Sequence, residues 1–283
     1  MDRRMFSAAA GLALAGWGRG ARAEKTSGLA DLERGVGGRL GVAVLDTATG
    51  RLTGRRLDER LPMCSTFKWL AAAKVLQRVD AGEESLDRRL PVAAADILDH
   101  SPTTGKHVGG SLSLGELCDA TIALSDNAAA NLILATYGGP AAVTAFARSA
   151  GDAETRLDRT EPALNESREG DPRDTTTPAA MARTLRAVLL GDVLKPASRE
   201  QLTAWMLGTQ TSGERLRKDL PAGWRLADKT GTGSNGSAND VGVFWPPGRP
   251  PVVVAVYLTA GRAPLDRRNA VIADVARRFR AGA

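Results

Sequence analysis

Histidine and cysteine are nearly absent. The 283-residue chain holds two of each: His100 and His107, Cys64 and Cys118. Two histidines are too few for a typical zinc-enzyme ligand set, and no H-x-H or H-E-x-x-H pattern is present, so the inventory argues against a metallohydrolase. A Ser-His-Asp triad would have only two candidate bases, and no G-x-S-x-G elbow carries a serine. Any serine nucleophile here needs a base other than histidine. Two cysteines make no disulfide framework and allow at most one bridge, in an oxidising compartment. Aromatic residues make up only 4% of the chain, so aliphatic side chains and alanine must fill the core. No dense basic stripe accompanies the formal net charge of +6, which argues against a nucleic-acid partner. No apolar run is long enough to span a bilayer.

What is present begins with an export signal. Arg3 and Arg4 precede a short apolar run from Phe6 to Gly18, and Ala21-Arg22-Ala23 gives an A-x-A cleavage pattern. The paired arginines fit a twin-arginine leader; a frayed N-terminal helix is the alternative. With residues 1–23 removed, the mature chain has no membrane segment and is expected in the periplasm or extracellular space. The leader carries four arginines and one aspartate, half of the formal net charge.

Hydrophobic periodicity places strands at both ends of the mature chain and helices between them. Leu29 to Leu40 reads as a short helix. Gly41–Leu45 and Gly54–Leu57 flank a turn at Thr47-Ala48-Thr49-Gly50. Ser65–Val79 is alanine- and leucine-rich with one apolar face. Leu114–Leu124, Ala128–Tyr137, Ala141–Ala150, Pro178–Leu190 and Pro196–Leu207 read as further helices. Trp224–Lys229, Asp240–Trp245 and Val252–Thr259 lean to strand, and Asp266–Arg280 closes the chain as an amphipathic helix. The economical fold is α+β, an α/β/α sandwich: one antiparallel sheet from both chain ends (24–62 and 208–283) with an inserted helical subdomain (63–207). A cleft between the two is a natural ligand site. Repeats and low-complexity linkers are absent. Residues 161–177 form a long polar loop, and such loops in compact domains are usually functional.

Four short segments carry chemistry. Ser65-Thr66-Phe67-Lys68 places an amine one helical turn from a hydroxyl. A serine needs a neighbour to take its proton, and a lysine can do so where burial lowers its pKa. Roughly one S-x-x-K is expected by chance in a chain of this size, and an N-cap serine followed by a solvated lysine is the alternative. Ser125-Asp126-Asn127, between two helical segments, offers a second hydroxyl and an amide; it also reads as a helix cap. Lys229-Thr230-Gly231-Thr232, on a strand, offers a cation and two hydroxyls for a carboxylate, with Gly231 allowing a ligand against the backbone. Glu161-Pro162-Ala163-Leu164-Asn165 opens the polar loop, and one helical turn sets Glu161 and Asn165 on a common face able to grip a water.

Together, in this order, the segments S-x-x-K, S-D-N and K-T-G resemble those of serine β-lactamases and penicillin-binding proteins. The Glu161 segment resembles the omega loop of class A β-lactamases, and the resemblance extends through Arg156-Leu157-Asp158-Arg159 and Arg173-Asp174-Thr175-Thr176. It implies hydrolysis of penicillins and cephalosporins by a monomer that uses no metal or cofactor. It implies Ser65 as the acylated nucleophile and Lys68 or Glu161 as its base. Glu161 with Asn165 would hold the deacylating water, and Ser125 would relay a proton to the leaving nitrogen. Asn127 would hold the substrate amide. Lys229, Thr230 and Thr232 would bind the carboxylate, and the N–H groups of Ser65 and Thr232 would form an oxyanion hole. It further implies an Arg159–Asp174 pair and a cis Glu161–Pro162 bond.

There are departures. The strand after K-T-G carries Ala238 where many relatives have a carboxylate-binding arginine. Arg215 matches the alternative position and is expected to substitute, a surface arginine being the other reading. Cys64 and Cys118 each match half of a different familiar bridge, with Gly233 and Ala72 at the partner positions, so two free thiols are expected. His100 falls where relatives place a ring at the cleft mouth; a solvated loop histidine is the alternative. A penicillin-binding D,D-peptidase would share the serine, lysine and K-T-G segments but not the Glu161 loop. A catalytically dead antibiotic sensor would need a tether or signalling partner.

Overall fold

The computed structural model describes residues 28–281, so the expected leader over 1–23 lies outside the described residues. A helix over 28–36 (α1) leads into β1 (Arg39–Asp46) and β2 (Leu52–Arg55), then β3 (Leu61–Pro62). A 3-10 turn, Cys64–Phe67, precedes α2 (Lys68–Asp80), β4 (Arg89–Pro91), β5 (Ser111–Ser113), α3 (Leu114–Ala123), α4 (Asn127–Ala135) and α5 (Pro140–Ser149). After the polar loop come β6 (Thr175–Thr176), α6 (Pro178–Leu190) and α7 (Pro196–Leu207). The chain ends with β7 (Arg225–Thr232), β8 (Ala238–Trp245), β9 (Val252–Thr259) and α8 (Leu265–Ala281).

The main sheet has the order β2-β1-β9-β8-β7, and every neighbouring pair is antiparallel. Its first two strands come from the start of the described chain and its last three from the end, as the α+β reading requires. Both faces are covered, and β9 shows it. Val253, Ala255 and Tyr257 pack toward the helical side, whereas Val254, Val256 and Leu258 pack toward α1 and α8. The side-chain period of two feeds two cores, so the strand is apolar throughout. Trp69, Leu70, Ala71, Ala72, Ala73, Val75 and Leu76 of α2 are all buried, as expected of a helix at the centre of a helical layer. Leu70, Val75 and Leu76 there each contribute roughly 1.5–3 kcal/mol.

Several boundaries differ from expectation. The first helix stops at 36 because Gly37 turns into the left-handed region (φ 63°), freeing Leu40 to pair with Leu258. Ser65 lies in the 3-10 turn and not in the α-helix. Cys64 has φ 47°, and both the amide and hydroxyl of Thr66 donate to the Met63 carbonyl, closing a tight turn before Lys68. β7 runs through the K-T-G-T segment to Thr232, paired with β8 along its length. The ribbons β3–β6 and β4–β5 are too short for a periodicity argument to find.

Candidate active site

The 3-10 turn sets Ser65 against the outer edge of the sheet, where β7 is the last strand. Gly231 makes this approach possible: a Cβ there would stand 2.8 Å from the Met63 carbonyl oxygen and 3.2 Å from the Ser65 nitrogen. The glycine thus admits the protein's own nucleophile turn, a closer role than the expected ligand contact. Asn239 of β8 clamps the same turn, its amide donating to the carbonyls of Pro62 (2.9 Å) and Met63 (3.0 Å).

Lys68, the first residue of α2, points inward and is fully buried. Its ammonium donates to the Ser125 carbonyl (2.7 Å), the Ser125 hydroxyl (3.3 Å) and Asn127 Oδ1 (2.6 Å), and lies 3.1 Å from Glu161 Oε1. Burial pulls its pKa below the ordinary lysine value, against the opposing attraction of Glu161. The Ser65 hydroxyl donates to Glu161 Oε1 at 3.1 Å, so its recorded partner is the carboxylate and not Lys68.

Ser125 occupies the corner between α3 and α4 with φ 60°. Asp126 fixes this corner. Its carboxylate caps α4 at the Ala129 amide (2.9 Å) and accepts from Thr103 N, Thr104 N and the Thr104 hydroxyl (2.9 Å each). From the other side Lys229, also fully buried, donates to the Ser125 hydroxyl at 3.0 Å and to the Thr230 carbonyl at 2.9 Å. Burial, with the nearby Lys68 charge, holds Lys229 well below the ordinary lysine range. The Asn127 amide donates to the Asp99 carbonyl (2.8 Å), tying the Lys68 cluster to the His100 strap. His100 is exposed with φ 60°; its Nε2 lies 3.0 Å from the Leu124 carbonyl oxygen.

The polar loop closes as expected. Asp174 accepts from Asp158 N (2.8 Å), Arg159 N (2.9 Å) and Arg159 Nε (2.6 Å), and the Glu161–Pro162 bond is cis. Asn165 donates through Nδ2 to Glu161 Oε2, while its Oδ1 is buried without a hydrogen-bond partner. A buried unpartnered acceptor beside a carboxylate suits one ordered water.

Arg215 is placed differently from a surface arginine. It is 5% exposed, with Nε on Asn269 Oδ1 (2.8 Å) and Nη1 on the carbonyls of Gly231 (2.8 Å) and Asn239 (2.7 Å). Nη2 donates to the Thr232 hydroxyl at 2.6 Å. Thr232 is exposed at the end of β7, so the guanidinium lies behind that hydroxyl. The Thr230 hydroxyl lies 2.5 Å from that of Thr211. Cys64 and Cys118 are free and buried; burial raises the Cys64 thiol to about 11.

Sequence reasoning missed Asn131, Thr211 and Asn239. Asn131 receives the Glu161 amide on Oδ1 (3.0 Å) and returns a bond from Nδ2 to the Glu161 carbonyl (2.9 Å). Its signal was legible: it stands four residues after Asn127 and therefore on the same face of α4. Asn239 and Thr211 act through tertiary contacts that leave no local pattern. Among the described residues no group of three or more histidine, cysteine or acidic side chains is placed to hold a metal ion, and no helix is long and apolar enough to cross a membrane.

A serine in a tight turn, two buried lysines, a corner serine and a carboxylate on a closed loop thus meet in one cleft beside β7. The model of the "Beta-lactamase enzyme family" matches residues 24–281. Beta-lactamase L2 of Stenotrophomonas maltophilia is 51% identical over 249 residues, covering 88% of this chain and 82% of that protein. Beta-lactamase CTX-M-8 of Citrobacter amalonaticus is 46% identical, covering 88% and 86%. An ancestral (GNCA) class A β-lactamase structure aligns with TM-score 0.90 at 60% identity, over 92% of this chain and 100% of that one. A putative class A β-lactamase, PenP from Rhodopseudomonas palustris, aligns with TM-score 0.90 at 56% identity over the same shares. The chain belongs to the class A β-lactamases and is a hydrolase of the kind associated with antibiotic resistance.

Proposed function

We propose that this β-lactamase opens penicillins and cephalosporins through an acyl-enzyme on Ser65, cleared by a water held between Glu161 and Asn165. The observation that carries the reading is that Glu161 Oε1 lies 3.1 Å from both the Ser65 hydroxyl and the Lys68 ammonium. In acylation, Ser65 Oγ bonds to the lactam carbonyl carbon and its proton passes to Lys68, or through water to Glu161. The amide C–N bond breaks, and the ring nitrogen takes a proton through Ser125, whose hydroxyl is within reach of both buried lysines. In deacylation, Glu161 takes a proton from the water as its oxygen bonds to the acyl carbon, and Ser65 leaves with a proton restored. The N–H groups of Ser65 and Thr232 are assigned to the developing oxyanion. Lys229, Thr230 and Thr232, with Arg215 behind, take the carboxylate. Asn127 and His100 border the amide side. The enzyme works as an exported monomer, its leader over 1–23 and mature chain from residue 24.

Turnover of a chromogenic cephalosporin and a penicillin tests this. Many turnovers per enzyme are expected. Acylation at one equivalent without turnover would assign a D,D-peptidase or sensor instead. A cephalosporin kcat/KM unchanged in Thr232→Ala would contradict the Thr232–Arg215 assignment.

A further inference from the structure

Two buried carboxyl groups stand behind the carboxylate end of the site, outside the mechanism above. Asp228 of β7 lies two residues before Thr230, which pairs directly with Asp240 of β8. Strand alternation therefore puts both acids on one face of the sheet, the face covered by α8. Both are fully buried, and each carboxyl acts directly on the other. Arg217 Nη2 donates to Asp228 Oδ1, and the Leu216 amide donates to Asp240 Oδ2 at 3.1 Å. The remaining oxygens, Asp228 Oδ2 and Asp240 Oδ1, have no hydrogen-bond partner among the described residues. Two buried carboxyl oxygens without donors, on interacting groups, are costly if both groups are ionised, and one proton shared by the pair would satisfy both.

We propose that Asp228 and Asp240 share one proton across these two oxygens, and that holding the pair at a single negative charge leaves Arg215 and Lys229 with the positive field that receives a substrate carboxylate. The proposal rests on the β-lactam reading above and makes Asp240 a positioning residue. Neither Arg215 nor Lys229 forms an ion pair with a carboxylate among the described residues; their hydrogen bonds go to carbonyls, hydroxyls and the Asn269 amide oxygen. A second ionisation of the acid pair would cancel part of that field from behind.

The surroundings support the assignment. On the α8 side of the sheet the charged neighbours are Arg215 and Arg217 of the 212–218 turn and Arg268 of α8, while Lys229, Tyr257 and, beside Arg215, Cys64 belong to the opposite side. Cys64 and Tyr257 are raised by burial and stay uncharged at neutral pH. Burial and the adjacent Asp228 charge hold the Asp240 carboxyl well above the usual carboxylate range. Burial raises Asp228 as well, against the pull of Arg217.

The test compares KM against pH for a penicillin and for its carboxylate methyl ester, in wild type and Asp240→Asn. Asparagine keeps the shape and charge of the protonated acid. Wild-type KM for the free acid should rise on the order of tenfold across the alkaline range, as for one unit charge about 10 Å away at an effective dielectric constant of about 20. The ester should show no such rise, and the rise for the free acid should be clearly smaller in Asp240→Asn, where the depressed Lys229 alone titrates. An equal rise in Asp240→Asn would assign the limb to Lys229 and overturn the proposal. Carboxyl carbon NMR of the wild-type protein gives a readout that needs neither variant nor substrate. One aspartate pair should hold a proton at neutral pH, and two ionised carboxylates there would also overturn it. Absence of any β-lactam turnover would instead defeat the functional reading, leaving the NMR result to decide the shared proton alone.

Discussion

At the residue scale, the Glu161 carboxylate acts only if it is held in place between Ser65 and Lys68. A carboxylate equidistant from a hydroxyl and an ammonium can accept from either only while its backbone is fixed. Asn131 supplies that fixing by pairing with both the amide and carbonyl of Glu161. Asn131→Ala should slow deacylation by on the order of 100-fold, as a displacement of about 1 Å can. Pre-steady-state kinetics should show acylation less affected, with acyl-enzyme accumulating; equal loss in both steps would contradict this role. The two cysteines offer a simpler check. Alkylation under denaturing, non-reducing conditions should count two free thiols, whereas finding none would indicate a bridge.

At the scale of elements, the site depends on how closely β7 approaches the nucleophile turn. Gly231→Ala would drive a methyl group to within 2.8 Å of the Met63 carbonyl oxygen, a backbone atom clamped by Asn239. Stability should fall by about 1–3 kcal/mol, and kcat/KM by on the order of 100-fold as Ser65 is displaced. Thermal denaturation and steady-state kinetics measure the two, and a variant with wild-type kinetics would show that the contact is not needed. The same region shows where sequence reading ran out. Helical periodicity located α2 to α8 and the K-T-G-T strand to within a few residues, because alanine- and leucine-rich faces and valine runs have strong periods. It missed the 3-10 turn at Ser65, since the left-handed Cys64 and the Met63 carbonyl that accepts from Thr66 are features of tertiary packing. It named Arg215 as the substitute cation for the carboxylate but gave no sign of its setting, a buried guanidinium bound to two backbone carbonyls and to the Thr232 hydroxyl.

At the scale of the whole molecule, the two chain ends must meet to make one sheet, and Glu33 fixes the N-terminal share of it by tying α1 to β1 and to the end of β2. From α1 it accepts from Arg55 and Arg56 and from the Leu40 amide. Burial alone would raise this carboxyl, but Arg56, Arg55 and the Leu40 N–H override it and hold it at about 2. Its folded pKa lies below the unfolded value, so the stabilisation is complete above about pH 4.5 and lost as pH falls toward 2. Glu33→Gln should therefore cost roughly 2 kcal/mol near neutrality and flatten the acid limb of a stability–pH curve. A variant that tracks wild type through that window would remove Glu33 from the account.

The most direct measurement of the central claim is intact-mass spectrometry of wild type and Glu161→Ala after mixing with a penicillin. The account predicts unmodified wild-type protein once substrate is consumed, and a persistent adduct of one penicillin mass on Ser65 in the variant. A persistent adduct on wild type, or a Glu161→Ala enzyme that clears its adduct at the wild-type rate, would contradict it.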